Sequence, residues 1–170
     1  MKENMLNLKE ILATLKNHNI FFVLIGGQAA TAQGSVYLTR DVDICHARDK
    51  ENLEKIVKAL SPFHPYLRGA PKDLPFIFDL KTIQAGLNFT FSTDIGDIDL
   101  IGEIQGVGYY NDAIKYSETM KIYGMQCHVL TIEGLIKSKK AAGRPKDKPV
   151  IKELEALLEI RKQKGKKKNR

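Results

Sequence analysis

The sequence has few cysteines and no long apolar run, and each shortage closes off a class of protein. Cys45 and Cys127 are the two cysteines in 170 residues, too few for a disulfide framework. A packed apolar core must therefore carry the fold, and both thiols are expected to lie in it, reduced. Cys45-His46 is one adjacent pair, and His18, His64 and His128 are scattered; neither arrangement has the paired spacings of a structural zinc motif. No apolar stretch approaches the roughly 20 residues of a membrane span. The start, Met1-Lys2-Glu3-Asn4, runs into an amphipathic pattern and not into a signal-peptide core, so cytoplasmic residence without a membrane partner is expected. No internal repeat is visible. Gly102, Gly106 and Gly108 lack the order and spacing of a dinucleotide-binding fingerprint.

Basic residues outnumber acidic ones, 27 to 20, for a formal net charge of +7, but the excess is local. Residues 161–170 hold Arg161, Lys162, Lys164, Lys166, Lys167, Lys168 and Arg170 and no acid, which leaves the remainder near neutral. The chain therefore divides into one domain over 1–160, long enough to bury a real core, and a basic tail over 161–170 expected to lack structure. That tail reads as a solvated segment or as a nucleic-acid contact; the absence of an aromatic residue to stack on bases leans toward the first.

The hydrophobic pattern gives an α/β order. Met5, Leu8, Ile11, Leu12 and Leu15 recur at helical spacing and predict a helix over 4–17. Strands follow at Phe21 to Ile25 and Asp41 to Cys45, then a helix whose stripe is Leu53, Ile56, Val57 and Leu60, ended by Pro62 and Pro65. Ser61 to Pro75 reads as a long, proline-rich loop of the kind that is often functional. Leu87 to Phe91 and Asp97 to Ile101 are expected to pair across Ser92 to Gly96, and Gly106 and Gly108 to turn before Tyr109-Tyr110. Met120 to Tyr123 and Gln126 to Leu130 are expected to form a hairpin about Gly124-Met125. Two helices close the chain, Ile132 to Ala142, broken at Gly143-Arg144-Pro145, and Lys148 to about Lys162.

The most specific chemistry lies between the first two strands. Gly26-Gly27 ends the apolar run Phe21 to Ile25, and thirteen residues intervene before Asp41 and Asp43. A strand running into two glycines and a short helix (Gln28, Ala29, Ala30) lets backbone N–H groups approach a phosphate closely. Carboxylates at i and i+2 of a strand project from one face, with Val42 and Ile44 turned into the core. Gly96-Asp97-Ile98-Asp99-Leu100 repeats the alternation, so a neighbouring strand could supply a third acid: Asp99, with Asp97 in reserve. Paired hard oxygen ligands beside a phosphate cradle suit Mg²⁺. Lys137, Lys139, Lys140, Arg144 and Lys146 form a second cationic cluster.

With that glycine pair, Asp-x-Asp strand and later Asp, the chain resembles the nucleotidyltransferase superfamily that includes DNA polymerase beta. Pro65 to Pro71, Gly86 to Thr90 and Ala142 to Asp147 are similar to segments of small stand-alone prokaryotic nucleotidyltransferase-like proteins akin to abortive-infection toxins. The likeness spans about 8–160. Many superfamily members have Ser where this chain has Gly27.

The resemblance implies a mixed sheet flanked by helices, followed here by the C-terminal helices and basic tail. It implies an enzyme moving an NMP from an NTP to a hydroxyl acceptor, an RNA 3′ end or a protein. Asp41, Asp43 and Asp99 would be the catalytic, metal-binding acids, and Gly26, Gly27, Gln28 and Lys139 the nucleotide-binding residues, Lys139 near the triphosphate. The alternatives are a non-catalytic nucleotide- or RNA-binding protein of the same fold, and one partner of a two-gene toxin–antitoxin pair.

Overall fold

A computed structural model describes residues 6–169. Helix α1 (Leu8–Asn17) starts where Asn7 caps it, the Asn7 side chain accepting from the Glu10 backbone N–H, and it buries Ile11, Leu12 and Leu15. The expected start at residue 4, with Met5, lies outside the described residues. Strand β1 (Phe22–Ile25) is buried throughout. Phe21, expected in that strand, is 57% exposed, with the Lys55 ammonium 5.7 Å from its ring centroid. Helix α2 (Gly26–Ala32) follows β1 directly, and β2 (Asp41–His46) returns beside it.

Helix α3 (Lys50–Leu60) is capped by Asp49, whose side chain accepts from the Asn52 backbone N–H. The expected loop after it contains structure: a 3₁₀ turn over Ser61–Phe63 and a two-residue strand β3 (Tyr66–Leu67). Both are too short to leave a periodic signal between prolines. Helix α4 (Leu80–Ala85), capped by Asp79, precedes β4 (Asn88–Thr93) and β5 (Gly96–Ile101). A small ribbon, β6 (Glu103–Ile104) with β7 (Gly108–Tyr109), leads into α5 (Tyr110–Lys115). Helices α4 and α5 have six residues each, below the length at which a 3.6-residue period is legible.

Strands β8 (Ser117–Ile122) and β9 (Met125–Leu130) form the expected hairpin, but one residue earlier. Ile122 pairs with Met125, and Tyr123 and Gly124 make the turn at φ +49° and +78°. A two-residue turn with both φ values positive matches the twist of the strands, and it takes Gly second as readily as first. Helix α6 (Ile132–Ala142) ends on Gly143 in the left-handed region, as its sequence predicts. A 3₁₀ turn (Pro145–Asp147) leads to α7 (Lys148–Lys168). The basic stretch expected to lack structure continues this helix, and Arg161 is docked, donating to the Gln33 carbonyl at 3.3 Å.

Among the described residues, seven strands make one sheet in the order β3-β4-β5-β2-β1-β9-β8. The sheet is mixed: β1 runs antiparallel to β2 and parallel to β9, and β2 runs parallel to β5. Val42, Ile44, Ile98 and Leu100 are wholly buried on one face. The acids of β2 and β5 occupy the other, as the alternation requires. Cys45 and Cys127 are buried and unpaired. Burial pushes the Cys45 thiol up to about 12 and holds His46 down at about 4, so neither is charged near neutral pH. No helix among the described residues is long and apolar enough to cross a membrane.

Asn52 ties α3 to two strand ends. Its side chain accepts from the Phe21 N–H at 2.8 Å and donates to the carbonyls of Phe21 and Ala47 at 3.1 and 2.8 Å. Leaving such groups unsatisfied costs about 1–3 kcal/mol, so Asn52→Ala is expected to lower the unfolding free energy from urea titration by that amount with an unchanged m-value. A shift under about 0.5 kcal/mol, the size of a typical surface change, would show that these bonds do not hold the corner.

Candidate active site

The register of three strands assembles the site. Asp41 pairs with Asp97 and Asp43 with Asp99 across the parallel β2–β5 ladder, while Asp43 also faces Ile25 of β1. All four acids therefore project from one face in two adjacent rows. Ligand oxygens of Asp41, Asp43 and Asp99 lie within 4.8 Å of one another, close enough to share one cation. Asp97 is on the same face but outside this group; its carboxylate is turned to Arg68, 3.2 Å from Nε.

The glycine pair is shaped by the site's own side chains. Gly26 has φ +63°, and a Cβ there would stand 2.0 Å from Asp43 Oδ2. A Cβ on Gly27 would stand 2.6 Å from the Thr39 side chain, whose hydroxyl donates to Asp41 Oδ1 at 2.7 Å. Both glycines thus make room for the carboxylates or their support. Gln28 lies off the cavity wall and reaches the Asp41 carbonyl oxygen with its side-chain amide at 3.5 Å.

Burial and carboxylate crowding dominate the electrostatics. Asp43 is pushed up from 3.8 to about 8, first by desolvation, then by its hydrogen bond with Asp99 and the charges of Asp41 and Asp99; Arg68 pulls the other way. Arg68 follows β3, and its N–H donates to the Thr90 carbonyl, which sets it in line with the Thr90↔Asp99 pair. Its guanidinium lies 2.7 Å from Asp99 and 3.7 Å from Asp41. Sequence patterning gave Arg68 no role. The pointers were its place in a long loop rich in prolines and in the Pro65 to Pro71 segment that carries part of the family resemblance.

Asp41, Asp43 and Asp99 line a cavity of about 490 Å³ together with Gly26, Gly27, Lys139 and Arg144, within the usual size of a small-molecule site. Lys139 Nζ lies 3.4 Å from Asp147, and Arg144 Nε lies 2.7 Å from the same carboxylate. Burial alone would raise the Asp147 pKa, but the Arg144 hydrogen bond and the two cations bring it below its ordinary value. Asp147 was not anticipated as a site residue either; it fixes both of these cavity-lining cations. The donor set fits a hard divalent cation: three carboxylates, one of which costs free energy to ionise without a positive partner.

No family model matches the sequence, and no curated protein does. Similarity is to solved structures. A Thermotoga maritima protein described as a nucleotidyltransferase is 19% identical with a TM-score of 0.57, covering 89% of this chain and 95% of its own. The lincosamide antibiotic adenylyltransferase LnuA, solved with lincomycin bound, is 15% identical with a TM-score of 0.60 over 91% of this chain and 99% of its own. The antibiotic-resistance factor ANT(2'')-Ia is 17% identical with a TM-score of 0.51 over 95% and 93%. The chain has the nucleotidyltransferase fold.

Because folded Asp43 keeps a proton that the unfolded chain loses above about 3.8, the native state binds more protons between about 4 and 8. Its contribution to stability is therefore full below the lower value and is lost as pH rises through the upper one. In chelator, Asp43→Asn is expected to raise the melting midpoint at pH 8 and to flatten its decline between pH 5 and 8. A lower midpoint for the variant at pH 8 would contradict a buried, crowded carboxylate.

Proposed function

We propose that this protein is a Mg²⁺-dependent nucleotidyltransferase that moves an NMP from an NTP to a hydroxyl acceptor and releases pyrophosphate. One observation carries the reading: the oxygens of Asp41, Asp43 and Asp99 meet within 4.8 Å on the wall of a cavity that also holds the glycine pair and Lys139. When bound, Mg²⁺ would neutralise the carboxylates and the triphosphate together and polarise the α-phosphate for attack. Asp41 and Asp43 would be its first ligands. Asp99 completes the set or accepts the proton of the attacking hydroxyl. Gly26 and Gly27 leave the wall beside Asp43 free of side chains for the outer phosphates. Gln28, off that wall, braces the Asp41 strand through its side-chain amide. Lys139, held by Asp147, offsets charge that builds on the phosphates during transfer.

For the acceptor we favour an RNA 3′ end, with a protein hydroxyl next. The exposed lysines at 162–168 lie 12 to 18 residues beyond Val150, the α7 residue on the cavity wall. At about 1.5 Å per residue that is about 18–27 Å, a reach that serves an extended polyanion and not a small metabolite. Chain size alone does not exclude a small acceptor, since LnuA is matched over 99% of its length.

Incubation with Mg²⁺, each α-labelled NTP, and RNA, protein or small hydroxylated acceptors tests this. Label is expected in RNA, and Asp41→Asn or Asp99→Asn is expected to reduce it by about 10²-fold or more with circular dichroism unchanged. Label that persists in both variants would refute the site, and label confined to protein or small molecules would move the acceptor. Removing residues 162–170 is expected to flatten the salt dependence of RNA binding, which falls with a slope of roughly −0.7 per phosphate neutralised on a single strand.

A further inference from the structure

The carboxylate cluster already holds a cation. Arg68 Nη2 lies 2.7 Å from Asp99, Nη1 3.7 Å from Asp41 and Nε 3.2 Å from Asp97. Nη2 also donates to the Phe91 carbonyl at 3.0 Å. Among the described residues, no other Lys or Arg is ion-paired with these acids; Lys139 and Arg144 are both engaged by Asp147. Asp41 and Asp99 are two of the three residues able to share a metal ion. Guanidinium and divalent cation therefore draw on the same two carboxylates. Arginine stays charged at any ordinary pH, so the conflict is relieved by movement and not by loss of a proton.

The backbone around Arg68 is firmly held. Tyr66 and Leu67 pair with Ser92 and Phe91, the Tyr66 and Phe76 rings meet edge-on at 5.9 Å, and Phe76 packs on Phe91 at 5.8 Å. The Tyr66 hydroxyl donates to the Pro71 carbonyl, with the Leu74 carbonyl oxygen also in reach. Only the side chain is free to exchange partners. Two of its contacts, Asp97 and the Phe91 carbonyl, lie outside the metal group. They would keep the guanidinium at the site's edge after Asp41 and Asp99 turn to an ion, with its remaining N–H groups open to phosphate oxygens, which arginine grips in a fork.

We propose that Arg68 is the resident counter-ion of the metal-free site, excluding a free divalent ion and passing to the phosphates of the NTP when metal and nucleotide enter together. Metal and nucleotide then bind with positive coupling, and Arg68 is a source of it. This inference rests on the nucleotidyltransferase reading and adds an order of loading to it.

Mn²⁺ binding, followed by the electron paramagnetic resonance signal of the free ion, tests the exchange without turnover. It is measured for the full chain, Arg68→Gln, Arg68→Lys and Asp99→Asn, with and without an α,β-methylene NTP. Arg68→Gln is expected to bind Mn²⁺ alone at least ten-fold more tightly than the parent, and to gain less from the analogue. Arg68→Lys, which keeps a charge but loses the fork, is expected to fall between them, and it decides the matter if the Gln variant does not fold. Equal Mn²⁺ affinity for the parent and the Arg68 variants, with binding lost in Asp99→Asn, would overturn the role of Arg68 and leave the metal site standing. No Mn²⁺ binding by any protein, with or without the analogue, would overturn both.

Discussion

The parallel pairing of β2 with β5 is the constraint on which the site depends. It sets Asp41 beside Asp97 and Asp43 beside Asp99 while sending Val42, Ile44, Ile98 and Leu100 into the core. Side chains alternate with a period of two, so a one-residue slip would bury acids and expose aliphatics. The register is thus enforced by the hydrophobic effect on one face and used by electrostatics on the other. Core packing supplies the energy that holds like charges together.

Those like charges are unfavourable on their own, and the fold answers them with two cationic groups placed differently. Arg68, just past the edge strand β3, contacts the acids directly. Lys139 and Arg144, from the α6–α7 corner, line the same cavity but are fixed by Asp147. One cation is poised to exchange partners, whereas the other pair is anchored by a carboxylate that stays ionised. A cavity lined by fixed positive charge and by acids that share an exchangeable counter-ion is suited to a ligand that brings both phosphates and metal.

What the sequence revealed followed from how local each signal was. Alternation in Asp41 to Ile44 and Asp97 to Leu100 placed the acids on a face, and Gly143 marked the end of α6 to the residue. Alternation could not choose between Asp97 and Asp99, because both share that face. The choice depends on which one faces Asp43 across the ladder, and pairing is not written within either strand. Arg68 was hidden for the same reason. Its role follows from a two-residue strand paired with Ser92 and Phe91 of β4, and from Asp99 one strand further, all more than twenty residues away. Asp147 looked like one charge among many, and only the packing of α7 on α6 turns it between Lys139 and Arg144. The basic tail was read from composition, yet Arg161 is tied to Gln33 and Glu118.

The glycine pair shows how a motif can be read correctly in position and incompletely in cause. In sequence, Gly26-Gly27 suggests a ligand's need for close backbone approach. In the fold, the space a Cβ would take is claimed first by the protein, by the Asp43 carboxylate at Gly26 and by Thr39 at Gly27. Thr39 in turn holds Asp41 through its hydroxyl. Each glycine therefore sets the position of one acid of the Asp-x-Asp pair, Gly26 directly and Gly27 through one intermediary. The two motifs are one device: the short α2 can follow β1 without a linker only because its first two residues leave room for the carboxylates of the next strand.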